Sequence, residues 1–219
     1  MILIKPSYQI LTDIHPFQVI RNIEAAGRTC YKSEDKITNN SASDFVTKII
    51  KSGHESVIEH ESISVRFICD KGVSHELVRH RLASFSQEST RYCNYNGGVT
   101  FVIPPWVNIP EGEYENARNW ISKVTLSIVD QNWIQTMAES ELSYLFCLKK
   151  GWSPQQARSV LPNSLKTEIV VTANLREWRH ILKLRTAKAA HPQMREIMLP
   201  LLEELACWLP EVFETVGGC

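Results

Sequence analysis

The 219-residue chain lacks any stretch of eighteen apolar residues, and its N-terminus lacks a basic segment followed by a sustained apolar run. Membrane spanning and secretion are therefore both unsupported. It has no net charge either, because 24 basic and 24 acidic side chains cancel. No global field draws it to nucleic acid or to an anionic membrane, so any selectivity for anions must be local. None of the six cysteines, at 30, 69, 93, 147, 207 and 219, stands in a Cys-x-x-Cys pair. They read as reduced thiols of an intracellular protein, with the cytoplasm as the default location. Neither a Gly-x-Gly-x-x-Gly fingerprint nor a P-loop is present.

What is present is concentrated between Arg79 and Tyr92. Three arginines, His80, three serines, Gln87 and Glu88 crowd into fourteen residues, and donors outnumber the one carboxylate. At about 100° per residue, Arg79, Leu82 and Ser86 share a helical stripe, with His80, Ala83 and Ser84 beside it. A solvated arginine-rich helix is the plain alternative. Against it, hydroxyls, an amide and a carboxylate fill residues 84–90 where long helix-forming side chains would be expected. A basic helix followed by a polar loop suits a phosphate-bearing ligand.

The order Arg79-His80-Arg81-x-x-Ser84-x-x-x-x-Ser89-x-Arg91-Tyr92 resembles the complete signature of the flavin-dependent thymidylate synthases. The likeness continues in Gly53-His54-Glu55-x-x-x-Glu59-His60, in Ala157-Arg158-x-x-Leu161-Pro162, and in the helix from Asn174 to Arg185. The resemblance implies an α+β fold, a mixed or antiparallel sheet flanked by helices, assembled as a homotetramer with sites shared between subunits. It implies dUMP as substrate, FAD as cofactor, and NAD(P)H and methylenetetrahydrofolate as co-substrates. The implied dUMP residues are Glu76, Arg79, Gln87, Glu88, Ser89, Thr90, Arg91, Arg158 and Arg185, with Arg185 catalytic. The implied FAD residues are Ser56, Glu59, Arg79, His80, Arg81, Gln87, Asn174, Arg176 and His180. With no glycine-rich fingerprint, such a flavin would be held by side chains and subunit contacts.

The length fits a single catalytic domain over residues 1–219, burying roughly 70% of its unfolded surface, with a loose tail at 216–219. Pro16 suits the start of a helix carrying Phe17, Ile20, Ile23 and Ala26, with Gly27 near its end. Ser41 and Asp44 suggest a capping box for a helix that Gly53 stops. Ile63, Val65, Phe67 and Cys69 alternate with polar neighbours as in a half-buried strand. Lys71-Gly72 reads as a turn, with Ser74 capping a helix that runs into Arg79. Residues 113–149 read as a long helix whose stripes include Trp120, Val124, Ile128, Met137, Leu142, Leu145 and Phe146. Ser153-Pro154 opens a short helix, residues 168–173 form a β-branched strand, and a last helix starts at Pro192 with a kink near Pro200.

Two other chemistries are weighed on the same residues. A zinc site on His54 and His60 fails on spacing, since residues six apart diverge by about 120° on a helix; no metal is expected. A single-stranded nucleic-acid strip using Phe85, Tyr92 and Tyr95 for stacking lacks a second basic patch, so no nucleic-acid partner is expected. Cys93, two residues past Arg91, is the one cysteine placed for covalent attack on a uracil. The resemblance instead implies electrostatic activation by Arg185 and no cysteine nucleophile.

Overall fold

The computed structural model describes residues 1–114 and 126–216. Trp120, Val124 and the Gly217-Gly218-Cys219 tail lie outside the described residues. The chain divides into two compact units, one of Met1–Ser7, Phe67–Arg79 and Ser86–Ile169, the other of Tyr8–Arg66, His80–Phe85 and Val170–Cys219. The class is α+β, as the resemblance implied. Strands β1 (Ile2–Ile4), β5 (Thr100–Val102) and β6 (Gly112–Glu113) form one sheet, in the order β5-β1-β6. It is mixed, with β1 parallel to β5 and antiparallel to β6. Strands β2 (Ser7–Ile10), β3 (Ser62–Asp70), β7 (Lys166–Asn174) and β4 (Ser84–Gln87) form the other, in that order.

In the first unit, Leu3 and Phe101 on paired strands share an apolar cluster with Ile103, Ile134, Tyr144 and Leu165. The helix α4 (Ile128–Lys149) begins at Ser127, whose hydroxyl accepts the Asp130 amide at 3.1 Å. It buries Ile134, Met137 and Tyr144. The predicted stripe is therefore corrected: Ile128, Leu142 and Phe146 are exposed, at 82%, 65% and 61%. A helix this rich in apolar residues has two candidate faces, and periodicity alone does not choose between them. The short helix α5 (Pro154–Ala157) starts at Pro154, with the Gln156 side chain accepting the Ser153 amide at 2.9 Å.

The loop before Arg79 departs from expectation. The helix α3 (Lys71–Leu77) follows β3 without a turn, because Asp70 is its cap and accepts the Val73 amide at 2.7 Å. Ser74 is instead buried inside the helix, its hydroxyl donating to the Lys71 carbonyl at 3.0 Å. The helix ends at Leu77, with Val78 as its C-cap, and residues 79–83 are turn and irregular backbone rather than a basic helix. Ser84–Gln87 is strand β4 rather than loop.

In the second unit, α1 (Pro16–Thr29) packs on α2 (Ser41–Lys51) and on a 3-10 turn, Glu55–His60. Ser41 is the first helical residue rather than the cap; its hydroxyl donates to Glu24 at 2.9 Å and accepts the Thr38 amide at 2.8 Å. Glu24 is fully buried, and Arg28 neutralises it through bonds of 2.9 and 3.1 Å. Gly53, with φ +74°, ends α2 as predicted, in a conformation that favours glycine. The helix α6 (Leu175–Arg185) buries Leu175, Trp178, Ile181 and Leu182, with the Trp178 indole donating to the Ile63 carbonyl at 2.9 Å. The helices α7 (Pro192–Trp208), with Pro200 inside it, and α8 (Pro210–Phe213) complete the unit.

Gly27 lies near the end of α1, as predicted, and the helix continues to Thr29. A Cβ on Gly27 would lie 2.7 Å from the Phe45 ring and 3.2 Å from Ile49, so glycine is what lets α1 approach α2. Alanine would gain about 1 kcal/mol of helix propensity but lose about 1–3 kcal/mol to overpacking. Gly27→Ala is accordingly expected to lower the urea midpoint; a raised midpoint would show that Phe45 repacks without strain.

Candidate active site

In the first unit, a cavity of about 440 Å³ is lined by Lys71, Gln87, Glu88, Ser89, Thr90 and Arg158, among others. Arg158 begins the 3-10 turn after α5 and donates to the buried Thr90 hydroxyl at 2.9 Å. The Gln87 amide donates to Ser74 at 2.9 Å and to Thr167 at 3.2 Å, and Lys71 donates to Thr167 at 3.1 Å. Burial pulls the Lys71 ammonium below its ordinary range, opposed by the nearby Glu88. Glu88 is itself engaged, accepting from Lys166 at 3.0 Å and from the Tyr95 hydroxyl at 2.7 Å. Burial opposes the charge on Lys166, but its bonds to Glu168 and Glu88 outweigh that and raise its pKa. With that carboxylate matched, Arg158, Lys71, Ser89 and Thr90 make a wall suited to an anion.

Five of the expected nucleotide residues, Gln87, Glu88, Ser89, Thr90 and Arg158, thus come together. Glu76, Arg79 and Arg91 do not line this cavity; Arg79 and Arg91 are exposed, and the Arg91 guanidinium lies 5.5 Å from the centre of the Tyr92 ring. Lys71 was missed, because beside Gly72 it reads as a turn residue. The signal available was its position directly after a strand that ends in a capping aspartate.

In the second unit, a cavity of about 660 Å³ is lined by Glu59, Asn174, Arg176, Glu177, His180 and Lys183, among others. Four of the expected flavin residues, Glu59, Asn174, Arg176 and His180, therefore share one cavity. The Asn174 carbonyl oxygen caps α6 by accepting the Glu177 amide at 2.9 Å. Arg176 bonds Glu59 at 2.5 Å, an exposed pair. Arg176 also lines a larger cavity, of about 1030 Å³, with Ser56, His54, Arg28, Lys36 and Lys48. Arg81 is exposed and lines neither.

His80 and Arg185 meet in this same unit. The Arg185 Nε donates to His80 Nε2 at 2.9 Å, and His80 Nδ1 lies 3.6 Å from a Glu177 carboxylate oxygen. The His180 ring is edge-on to His80 at 5.8 Å. Donor atoms of His80, Glu177 and His180 all lie within 4.8 Å of one another, which invites a metal reading. The hydrogen bond argues otherwise. With Nε2 accepting from arginine, a neutral His80 carries its proton on Nδ1, so neither ring nitrogen offers a lone pair to an ion. Burial, then the Arg185 charge, then His180 push the imidazole down to about 4, so it is neutral at pH 7. Burial raises the Glu177 carboxyl, with His180 opposing.

Comparison with known proteins supplies a frame for these clusters. The family profile described as thymidylate synthase complementing protein, Thy1, matches residues 17–211. A flavin-dependent thymidylate synthase of Mycobacterium sp. (strain JLS) is 34% identical over 197 residues, covering 87% of this chain and 77% of the relative. One from Pyrococcus furiosus is 33% identical over 184 residues, covering 82% and 69%. Among solved structures, a UMP/dUMP methylase, PolB from Streptomyces cacaoi, bound with 5-Br dUMP, has the same fold. Its TM-score is 0.74 at 23% identity, over 98% of this chain and 96% of that one.

The neutral imidazole has a measurable consequence. An unfolded chain takes up a proton at His80 near pH 6.5, whereas the folded chain does not until about 4. Stability present above pH 6.5 is therefore lost as pH falls toward 4, by about 2 kcal/mol between pH 7 and 5. Urea titrations at those two pH values should show a larger loss in the wild type than in His80→Asn. Equal losses in the two proteins would refute the buried neutral state.

Proposed function

This chain belongs to the Thy1 family of thymidylate synthase complementing proteins, and we propose that it methylates dUMP to dTMP. In this reading methylenetetrahydrofolate supplies the carbon, and FAD reduced by NAD(P)H supplies the hydride. The observation that carries it is the Arg158–Thr90 bond in the wall of a cavity that also presents Lys71, Gln87 and Ser89. A 5′-phosphate there would take charge-assisted bonds worth about 1.5–3 kcal/mol each. The same reading takes Arg91 and the amides of residues 87–90 as further donors; of these, Arg91 stands outside the cavity wall and the Glu88 amide is bonded to the Glu168 carbonyl at 2.9 Å.

The flavin reading is tested by the second unit's own residues. With Arg28 matched by Glu24, Arg176 by Glu59 and Glu55 by Arg179, Lys36 and Lys48 stand against Asp44 in the 1030 Å³ cavity, a basic balance that suits a pyrophosphate. Asn174 and His180 in the neighbouring wall of α6 supply an amide and an imidazole for a polar ring edge. Ser56, Glu59, Asn174, Arg176 and His180 would hold FAD, with the exposed Arg79 and Arg81 offered to a neighbouring subunit. Bound there, FAD would supply hydride. The exposed Leu142 and Phe146 of α4 favour assembly, for which we take a homotetramer with shared sites.

Arg185 would stabilise negative charge developing over N3 and the adjacent carbonyl of the uracil, making C5 nucleophilic. A guanidinium keeps its charge at every working pH, which suits that role. A cysteine route finds less support. Burial, reinforced by Asp70, pushes the Cys69 thiol up to about 12, which leaves it protonated and inert. Cys93 sits in the turn after Arg91, its amide bonded to the Ser89 carbonyl at 2.9 Å.

Added FAD should give an oxidised-flavin absorption spectrum that dUMP perturbs; no spectral response to either would overturn the reading. Arg158→Ala should raise the dUMP Kd about 10–100-fold, the loss of one or two charged bonds. Cys93→Ala should keep kcat within about threefold of wild type, whereas a nucleophile's loss would remove activity by orders of magnitude.

A further inference from the structure

We propose that Glu177 and His80 are positioning residues that brace the Arg185 guanidinium, His80 through its Nε2 and Glu177 by fixing which ring nitrogen of His80 carries the proton. This rests on the reading that Arg185 acts on the nucleotide base.

His80 is 6% exposed and Glu177, in the first turn of α6, 7%, so both are held out of water. The bond from Arg185 Nε to His80 Nε2 is possible only when Nε2 is unprotonated. Glu177 faces the opposite nitrogen at 3.6 Å, longer than a hydrogen bond yet close enough for a carboxylate to favour the Nδ1–H form. In the other tautomer two N–H groups would point at each other between His80 and Arg185. The Asn174 cap fixes the first turn of α6, and with it Glu177, two turns before Arg185. Holding Nε fixes the plane of the guanidinium, which matters for a planar fork that must meet a planar base.

The chemistry also says which substitution should be tolerated. A neutral His80 needs only an acceptor beyond Nδ1, and the amide oxygen of glutamine supplies one in nearly the same place.

The test is a double-mutant cycle on FAD-loaded enzyme, with kcat and KM for dUMP measured at saturating co-substrates. Glu177→Ala should lower kcat about tenfold while changing the KM for dUMP less than about threefold, and Glu177→Gln should recover most of the loss. In an Arg185→Ala background, Glu177→Ala should have no further effect on kcat. Equal losses from Glu177→Ala in both backgrounds, or wild-type kcat for Glu177→Ala while Arg185→Ala is impaired, would overturn the brace alone. Wild-type kcat for Arg185→Ala would instead overturn the role of Arg185, and the brace with it. A readout on the wild type guards against variants that fail to fold: long-range ¹H–¹⁵N spectra at pH 7 should show His80 protonated at Nδ1. Protonation at Nε2 would refute the brace directly.

Discussion

The switch from a two-residue to a 3.6-residue repeat at Asn174 is the constraint on which the second unit depends. Along β7 the side chains of Thr167, Ile169, Val171 and Ala173 are buried in strict alternation. The Asn174 side chain then takes the Glu177 amide and starts α6. From that point the phase of every later residue is determined. Leu175, Trp178, Ile181 and Leu182 go inward, Arg176 and His180 outward to a cavity, and Glu177 and Arg185 to His80. One capping bond thus aligns a core face with a chemical face.

The electrostatics follow from local matching rather than from global charge. Among the described residues, three buried or half-buried carboxylates are met by a cation or donor: Glu24 by Arg28, Glu88 by Lys166 and Tyr95, Glu55 by Arg179. With those charges matched, Lys71 and Arg158 give the first unit's cavity its positive character, and Lys36 and Lys48 add to that of the larger cavity in the second. A chain with no net charge can in this way present anion sites without attracting polyanions at long range.

Much of the fold was legible because burial imposes periodicity on sequence. The alternation in β3, the β-branched run inside β7, the Pro16 and Pro154 helix starts and the Gly53 stop all appear where the residues placed them. What misled was local chemistry with two equally good uses. Ser41 and Ser74 are good caps, but Asn40 and Asp70 stand at those positions, and the two hydroxyls bond elsewhere. Gly27 stands near the end of α1 as expected, but it is also the contact point between two helices, which its position in the repeat does not reveal. The arginine-rich stretch from 79 has helical spacing, yet α3 ends at Leu77, before it.

The sequence by itself determined the class of the protein and the chemical types at its candidate site, because the arginines, hydroxyls and amides of a signature are fixed by covalent structure. It also determined which segments bury an apolar face, since that needs only the repeat. Only the tertiary structure decided that His80 accepts a hydrogen bond from Arg185, 105 residues away, or that Arg158 meets Thr90 across 68. It alone brought Glu177 beside His80 and Lys71 into the wall of the first unit's cavity. Such pairings, and the protonation states they impose, depend on which surfaces chain folding brings within about 3 Å, and no spacing rule encodes that distance.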